Sequence, residues 1–171
     1  LAARSGNTII GLRRFSREDT MTTTGRVRGI LSKHPTARAV VNVIDIGAGV
    51  ADKLREDKQQ VVAFNGAEKI TPKDRSGELR FLNKRAEVLW ALRELLDPAN
   101  EETVALPPDK SLIGNLTAPK WTVVSGGKIK IEAKDDIKKR LGRSTDDGDA
   151  VEMAFYEPKV PRIVVGRLLG L

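Results

Sequence analysis

Apolar and polar residues alternate along the chain in blocks that predict strands and helices in turn. The first sixteen residues are rich in β-branched and apolar side chains, and they predict a hairpin that turns near Gly6. A helix is predicted over 19–34, with Asp19 as its N-cap. The next block, 37–47, is almost continuously apolar, which is typical of a strand buried on both faces.

The following blocks extend this alternation. A short helix at 50–57 and a strand at 59–66 complete a strand–helix–strand unit, whose two strands are expected to be parallel. Apolar residues at helical spacing predict a long helix over 78–97, and Pro98 ends it. The stretch 99–119 reads mostly as loop, with at most one helical turn.

The last third predicts one more hairpin and two helices. Residues 120–133 form the hairpin, which turns at Gly126 and Gly127. A short helix at 134–142 is closed by a glycine, and a final helix runs over 144–156. The fold class predicted from these elements is α/β, with a mixed sheet that combines antiparallel hairpins and at least one parallel pair.

Composition narrows the possible chemistry. The 171 residues include no cysteine and one histidine, which excludes disulfides, thiolate metal sites and a histidine-rich zinc site. No phosphate-binding glycine loop is present, and no apolar run approaches the roughly 20 residues that cross a bilayer. The net charge is +7, and residues 1–40 hold eight Lys/Arg against two Asp/Glu. This distribution is compatible with polyanion binding, although solubility alone would also explain it.

Three aspartates lie close together in "GRSTDDGDA" (142–150). If Ser144 caps the last helix, Asp147 stands three residues later and completes a variant of the capping box, which gives Asp147 a structural role. Asp146 and Asp149 are three residues apart and share a helix face with apolar residues of the core. Burying carboxylates is costly unless a cation or hydrogen bonds compensate them.

A metal ion would provide that compensation. Asp45 follows the apolar run of the first parallel strand, and active groups of open α/β sheets gather beyond such strand ends. The alternative is that Asp45 only caps the turn that follows it. If Asp45, Asp146 and Asp149 converge, their oxygens suit Mg²⁺ or Mn²⁺. Gly148 would let a ligand or another strand approach this helix closely.

Basic residues precede the acidic helix. Two interpretations stay open for them: a solvated helix surface, or a clamp on the DNA backbone beside the metal site. No aromatic residues lie among them, so stacking on single-stranded bases has little support. The candidate DNA-binding residues are Lys134, Lys138, Lys139, Arg140 and Arg143.

As a set, these motifs resemble the C-terminal nuclease domain of the large terminase subunit of tailed bacteriophages and prophages. The resemblance covers about residues 1–156, and we take 1–158 as the domain and 159–171 as a tail. The order and spacing of the motifs together are more specific for this family than any single motif. The segments that carry it are "VVNVIDIGAGVADKLRE" (40–56), "FLNKRAEVLWALRELL" (81–96) and "KIKIEAKDDIKKRLGRSTDDGDAVEMAF" (128–155).

The resemblance implies an RNase H-like fold and a metal-dependent endonuclease that cuts concatemeric double-stranded DNA during packaging. It implies a two-metal site of Mg²⁺ or Mn²⁺, with Asp45 as one ligand. Asp146 is the favoured second position and Asp149 a second ligand or near neighbour. The implied partners are double-stranded DNA, the terminase ATPase domain, the small terminase subunit and the portal, with no membrane. The implied location is the cytoplasm of the bacterial host.

One departure changes the expectation for activity. The family's first catalytic aspartate lies on its first, central strand, and "LAARSG" corresponds to the sequence just after that strand. We therefore expect a fragment without that strand, that ligand and the ATPase domain, which would bind metal weakly or be inactive.

Two other functions remain open from the sequence. One is another RNase H-fold nuclease, such as a resolvase, which would prefer four-way junctions. The other is a non-catalytic module that binds DNA or a packaging partner, whose binding would be salt-sensitive but indifferent to metal.

Overall fold

The computed structural model describes residues 1–15, 18–44 and 46–158. The predicted tail, 159–171, therefore lies outside the described residues. The first half contains β1 (Ala2–Ser5), β2 (Thr8–Leu12), α1 (Thr20–Leu31), β3 (Ala39–Asn42), α2 (Gly47–Glu56) and β4 (Val61–Phe64). The second half contains β5 (Arg80–Phe81), α3 (Lys84–Leu95), α4 (Lys110–Thr117), β6 (Trp121–Val124), β7 (Lys128–Ile131), α5 (Lys134–Leu141) and α6 (Asp146–Ala154).

The predicted α/β class with mixed strand pairing is confirmed. Strands β1 and β2 form an antiparallel hairpin, and β3 pairs with β4 in parallel, as predicted for the strand–helix–strand unit. The third group has the order β5-β7-β6, in which β5 is parallel to β7 and β6 is antiparallel to it. Within the described residues, the pairing divides into these three groups rather than one continuous sheet.

Several predicted boundaries and burials are wrong. Strand β3 is shorter than predicted and only half-buried, because within the described part of the chain it pairs with β4 alone. Helix α3 begins at Lys84, six residues later than predicted, and β5 precedes it. Helix α4 was predicted to be mostly loop, yet it has eight residues, because Asp109 accepts hydrogen bonds from the amides of Ser111 and Leu112 at 2.8 and 3.0 Å.

Among the described residues, two apolar clusters of the core share helix α3. The first contains Ile9, Leu92, Leu112, Val151 and Phe155. The second contains Phe81, Ala86, Trp90, Ile129 and Ile131. Because α3 contributes to both, it holds the three-stranded group β5-β7-β6 in a fixed relation to α4 and α6. In the part of the chain that is described, no helix is long and apolar enough to cross a membrane.

The start of α3 provides a small test of local stability. The Asn83 side chain accepts a hydrogen bond from the amide of Ala86 at 3.0 Å and so caps the helix. We expect Asn83→Ala to lower the free energy of unfolding by about 1 kcal/mol, because one amide of the first turn loses its partner. Urea denaturation measures this difference. Asn83→Ser keeps a capping oxygen, so its free energy of unfolding should fall clearly less. Equal decreases in the two variants would contradict the capping role.

Candidate functional site

Helix α6 carries the acidic cluster and is held from several sides. It packs against α3, α4, β1 and β3. Gly148 faces α4 so closely that a Cβ there would lie 3.3 Å from backbone atoms of Asn115. The close approach expected at Gly148 therefore exists, and its partner among the described residues is a neighbouring helix.

Asp147 has a structural role, but it is not the predicted one. The N-cap of α6 is Thr145, which makes no side-chain capping bond, and the Ser144 hydroxyl donates to Asp146 Oδ1 at 2.5 Å. The predicted capping box between Ser144 and Asp147 is therefore wrong. Instead, Asp147 Oδ2 accepts a hydrogen bond from Arg14 Nε at 2.7 Å and another from the side-chain nitrogen of Asn115, Nδ2, at 3.3 Å.

Arg14 ties the start of α6 to the start of α4. Its guanidinium donates to Asp147 from Nε and to Asp109 from Nη2, both at 2.7 Å. The hydrogen bond from Arg14 lowers the pKa of Asp109 below its ordinary value, and the amides at the start of α4 act in the same direction. Two of the acids near the site are thus occupied in holding helix ends together.

Asp149 is placed differently from Asp146 and Asp147. Asp146 is exposed, whereas the Asp149 side chain is only 13% exposed and its Oδ2 is buried. The Lys134 ammonium lies 2.5 Å from that oxygen. The ammonium is therefore the positive partner of this buried oxygen. A buried carboxylate oxygen that faces positive charge is suited to a cation.

Glu152 is a buried acid that the sequence analysis missed. It is 5% exposed and lies one helical turn after Asp149. Burial raises the pKa of Glu152 to about 7, and the negative charge of Asp149 acts in the same direction. The positive charges of Arg85 and Lys134 act in the opposite direction. The available signal was its spacing, since Glu152 stands four residues after Gly148 on the face that packs inward.

Arg85 brings a second positive charge to this region. Its Nη1 donates to the backbone oxygen of Glu132 at 2.8 Å, while Nε and Nη2 are buried and find no partner among the described residues. The described part of the site thus combines a mostly buried acid, Asp149, and a buried one, Glu152, with two cations, Arg85 and Lys134. Within residues 1–15, 18–44 and 46–158, no three acids or histidines cluster closely enough to hold a metal.

Asp45, the third predicted ligand, lies outside the described residues. Its immediate surroundings are described on both sides. Strand β3 ends at Asn42, and a Cβ at Gly47 would fall 1.7 Å from the Asn42 backbone oxygen, so no side chain fits there without a shift of the backbone. Gly47 therefore lets the first turn of α2 lie directly against the last residue of β3. Strand β3 also packs against α6.

Comparison with known proteins places the fold. No known family model and no curated protein matches the chain. Among solved structures, it resembles the nuclease domain of the large terminase subunit gp2 of bacterial virus Sf6, with a TM-score of 0.72, 20% identity, and coverage of 92% of this chain and 81% of that chain. The chain has the fold of a terminase large-subunit nuclease domain. The predicted RNase H-like fold class is confirmed by this likeness.

Two further structures agree with this terminase nuclease fold. A variant of the Sf6 domain with manganese and beta-thujaplicinol has a TM-score of 0.74, with 20% identity over 92% of this chain and 81% of that chain. The large terminase nuclease of thermophilic phage G20c, with bound cobalt, has a TM-score of 0.56 and 17% identity, over 86% of this chain and 66% of that chain.

The five predicted DNA-binding residues have different environments in this fold. Three already contact protein atoms: Lys134 contacts Asp149, Arg140 donates to Glu132 and to the Ala118 backbone oxygen, and Arg143 donates to Asn115. Lys138 and Lys139 are exposed and have no ion pair within the described residues. DNA contact by these five residues stays a prediction.

Proposed function

We propose that the chain is the nuclease domain of a phage terminase large subunit, and that it hydrolyses phosphodiester bonds of double-stranded DNA with the help of divalent cations. The observation that carries this proposal is the coincidence of the terminase nuclease fold with a buried carboxylate, Asp149, on the helix that packs against β3. Solved structures with this fold contain manganese, calcium or cobalt, which supports the use of a divalent cation.

The residues on α6 fit a hard cation. Asp149 Oδ2 is buried, and the Lys134 ammonium 2.5 Å away marks a position where positive charge is favoured. We propose Asp149 as the direct ligand from α6, together with Asp45, and Asp146 as a second, more exposed acid nearby. Geometry favours Asp149 over Asp146, because Asp146 is exposed and accepts from Ser144.

Mg²⁺ or Mn²⁺ bound as a pair would activate a water and stabilise the leaving oxygen of the phosphodiester. The protein's own residues have distinct tasks in this proposal. Asp149 and Asp45 bind the cations, and Lys134 balances the charge of Asp149 when they are absent. The positive charge of Arg85 favours the ionised form of Glu152. Double-stranded DNA is the substrate, and the ATPase domain, small subunit and portal are the proposed partners in the host cytoplasm.

Metal binding tests the site directly. We expect Mn²⁺ to raise the Tm of the chain, because a ligand at 100 times its Kd stabilises the folded state by about 2.7 kcal/mol. Asp149→Asn should abolish most of this rise, since a neutral amide replaces the buried carboxylate. The control is Asp135→Asn, which removes the same charge from an exposed position on α5 and should keep the full rise. Equal rises in both variants would refute Asp149 as a ligand.

Cleavage tests the reaction. Plasmid DNA incubated with Mn²⁺ should be nicked or linearised by this chain joined to the family's first strand and its aspartate, and Asp45→Ala or Asp149→Asn should abolish this activity. The chain without that strand should cut weakly or not at all. If the joined form binds duplex DNA but never cuts it with Mn²⁺, the nuclease assignment fails and a non-catalytic DNA-binding module takes its place. A strict preference for four-way junctions would instead indicate a resolvase.

A further inference from the structure

The three-stranded group β5-β7-β6 has one apolar face and one basic face. Phe81, Ile129 and Ile131 are buried on the side that packs against α3. Because side chains alternate along a strand, the intervening residues project from the opposite face. We call this opposite surface the basic sheet face, and its cationic members are Lys73, Arg80, Lys128 and Lys130.

The strand register places these cations side by side. Arg80 is the direct partner of Lys128 across the parallel pair, and Lys73 forms an antiparallel bridge with Arg80. Lys73, Arg80 and Lys128 therefore lie side by side on neighbouring strands, with their backbones about 5 Å apart. Lys130 follows Lys128 two residues along β7, about 7 Å further. The arrangement is a compact array of positive charge on one side of the three strands.

Among the described residues, no acid lies within ion-pair distance of this array. None of the four side chains forms an ion pair or a hydrogen bond with an acid there. The next acid on the same side of β7, Glu132, is already bonded to Arg140. Asp74, beside Lys73, accepts from Ser76 and from the Leu79 amide. Like charges placed directly opposite one another on adjacent strands repel, so the array costs stability unless an anion is bound.

The basic sheet face also leads towards the acidic helix. Strand β7 continues from Lys130 into α5, whose first residue, Lys134, contacts Asp149. Lys128 and Lys134 are six residues apart, so they are separated by at most about 20 Å. Trp121 pairs with Ile131 and contacts Trp90 of α3 edge to face, which puts it on the α3 side. The basic sheet face therefore has no aromatic anchor of the kind that favours a membrane interface.

We propose that the basic sheet face binds the phosphate backbone of duplex DNA and guides it towards Asp149. The choice of DNA as the polyanion rests on the proposed function. The identification of the basic sheet face as a binding surface rests on the strand register and on the absence of ion pairs at its cations among the described residues. This surface is separate from the cations of α5. Phosphate contacts of this kind position a duplex without reading its sequence.

Duplex binding in EDTA tests the surface without requiring cleavage. Fluorescence anisotropy of a short labelled duplex is measured with the chain between about 50 and 200 mM salt. The test variant combines Arg80→Gln, Lys128→Gln and Lys130→Gln. The matched control combines Lys33→Gln, Lys58→Gln and Lys110→Gln, three exposed lysines with no ion pair among the described residues.

We expect the test variant to bind at least about tenfold more weakly than the control, with a salt slope smaller by about 2 to 3, because each lost phosphate contact removes about 0.9 from the slope. Its Tm should be no lower than that of the parent, since repulsion is relieved. Lys128→Arg with Lys130→Arg keeps the charge and should keep the binding.

Three results would overturn the proposal: equal weakening in the test and control variants, no duplex binding by the parent, or binding of phosphatidylserine-containing vesicles in place of duplex. Duplex binding through this face, together with no Mn²⁺-dependent cleavage by the form joined to the family's first strand, would leave this inference standing and refute the nuclease activity.

Discussion

Glu152→Gln is expected to stabilise the metal-free protein above pH 7 and to change its stability little near pH 4. Burial raises the pKa of Glu152 from its ordinary value of 4.5 to about 7 in the folded state. As the pH rises through this window, the unfolded chain loses the proton first, so the folded state becomes progressively less stable. The full difference amounts to about 3 kcal/mol at most, and it is reached above pH 7.

Glutamine has the shape of protonated glutamic acid but cannot ionise, so the variant should lack this decline. The measurement is the free energy of unfolding by urea in EDTA from pH 4 to pH 8, as the difference between the variant and the parent. Taking the difference cancels the acids whose pKa values are lowered, such as Asp109 and Glu132, which act in the opposite direction.

Glu101→Gln serves as the control, because Glu101 is exposed and its substitution should give no pH-dependent difference. A constant difference between Glu152→Gln and the parent across the whole range would show that Glu152 does not keep its proton in the folded state.

Elements with local signals were predictable from the sequence. The paired glycines at 126 and 127 adopt positive φ in the β6–β7 turn, and Gly142 closes α5 in a left-handed conformation at φ 69°. Asp19 caps α1 through the Thr22 amide, as predicted. In each case the responsible residue lies within a few positions of the structure that it determines.

Features that depend on distant partners were not predictable. Whether Asp147 caps its own helix or pairs elsewhere is decided by Arg14, which lies 133 positions earlier. The burial of Asp149 likewise depends on Lys134 and on the packing of α6. Pro107, Pro108 and Gly114 are typical of loops, and for this reason helix α4 was not predicted. Asp109, which precedes the apolar residues of α4, was an available capping signal.

Leu112→Ala is expected to lower the free energy of unfolding by about 2 to 5 kcal/mol, because it removes a completely buried side chain from the first core cluster. The cavity would open between α4 and α6, since Leu112 packs there with Val151 and Phe155. Ile113→Ala is the matched control one residue away. Ile113 is 54% exposed, so its truncation should cost clearly less than that of Leu112.

The Leu112 variant also tests whether packing positions the site. Helix α4 contributes Asn115, which touches Gly148 and bonds to Asp147, so loosening α4 removes support from the helix that carries Asp149. Urea denaturation gives the loss of stability, and Mn²⁺ titration of the folded variant gives the effect on the site. If Leu112→Ala lost several kcal/mol but bound Mn²⁺ as the parent does, α6 would be held by β1, β3 and α3 without α4. The expected result is weaker Mn²⁺ binding in Leu112→Ala and unchanged Mn²⁺ binding in Ile113→Ala. The reason is that a carboxylate ligand is effective only when the helix that bears it is fixed.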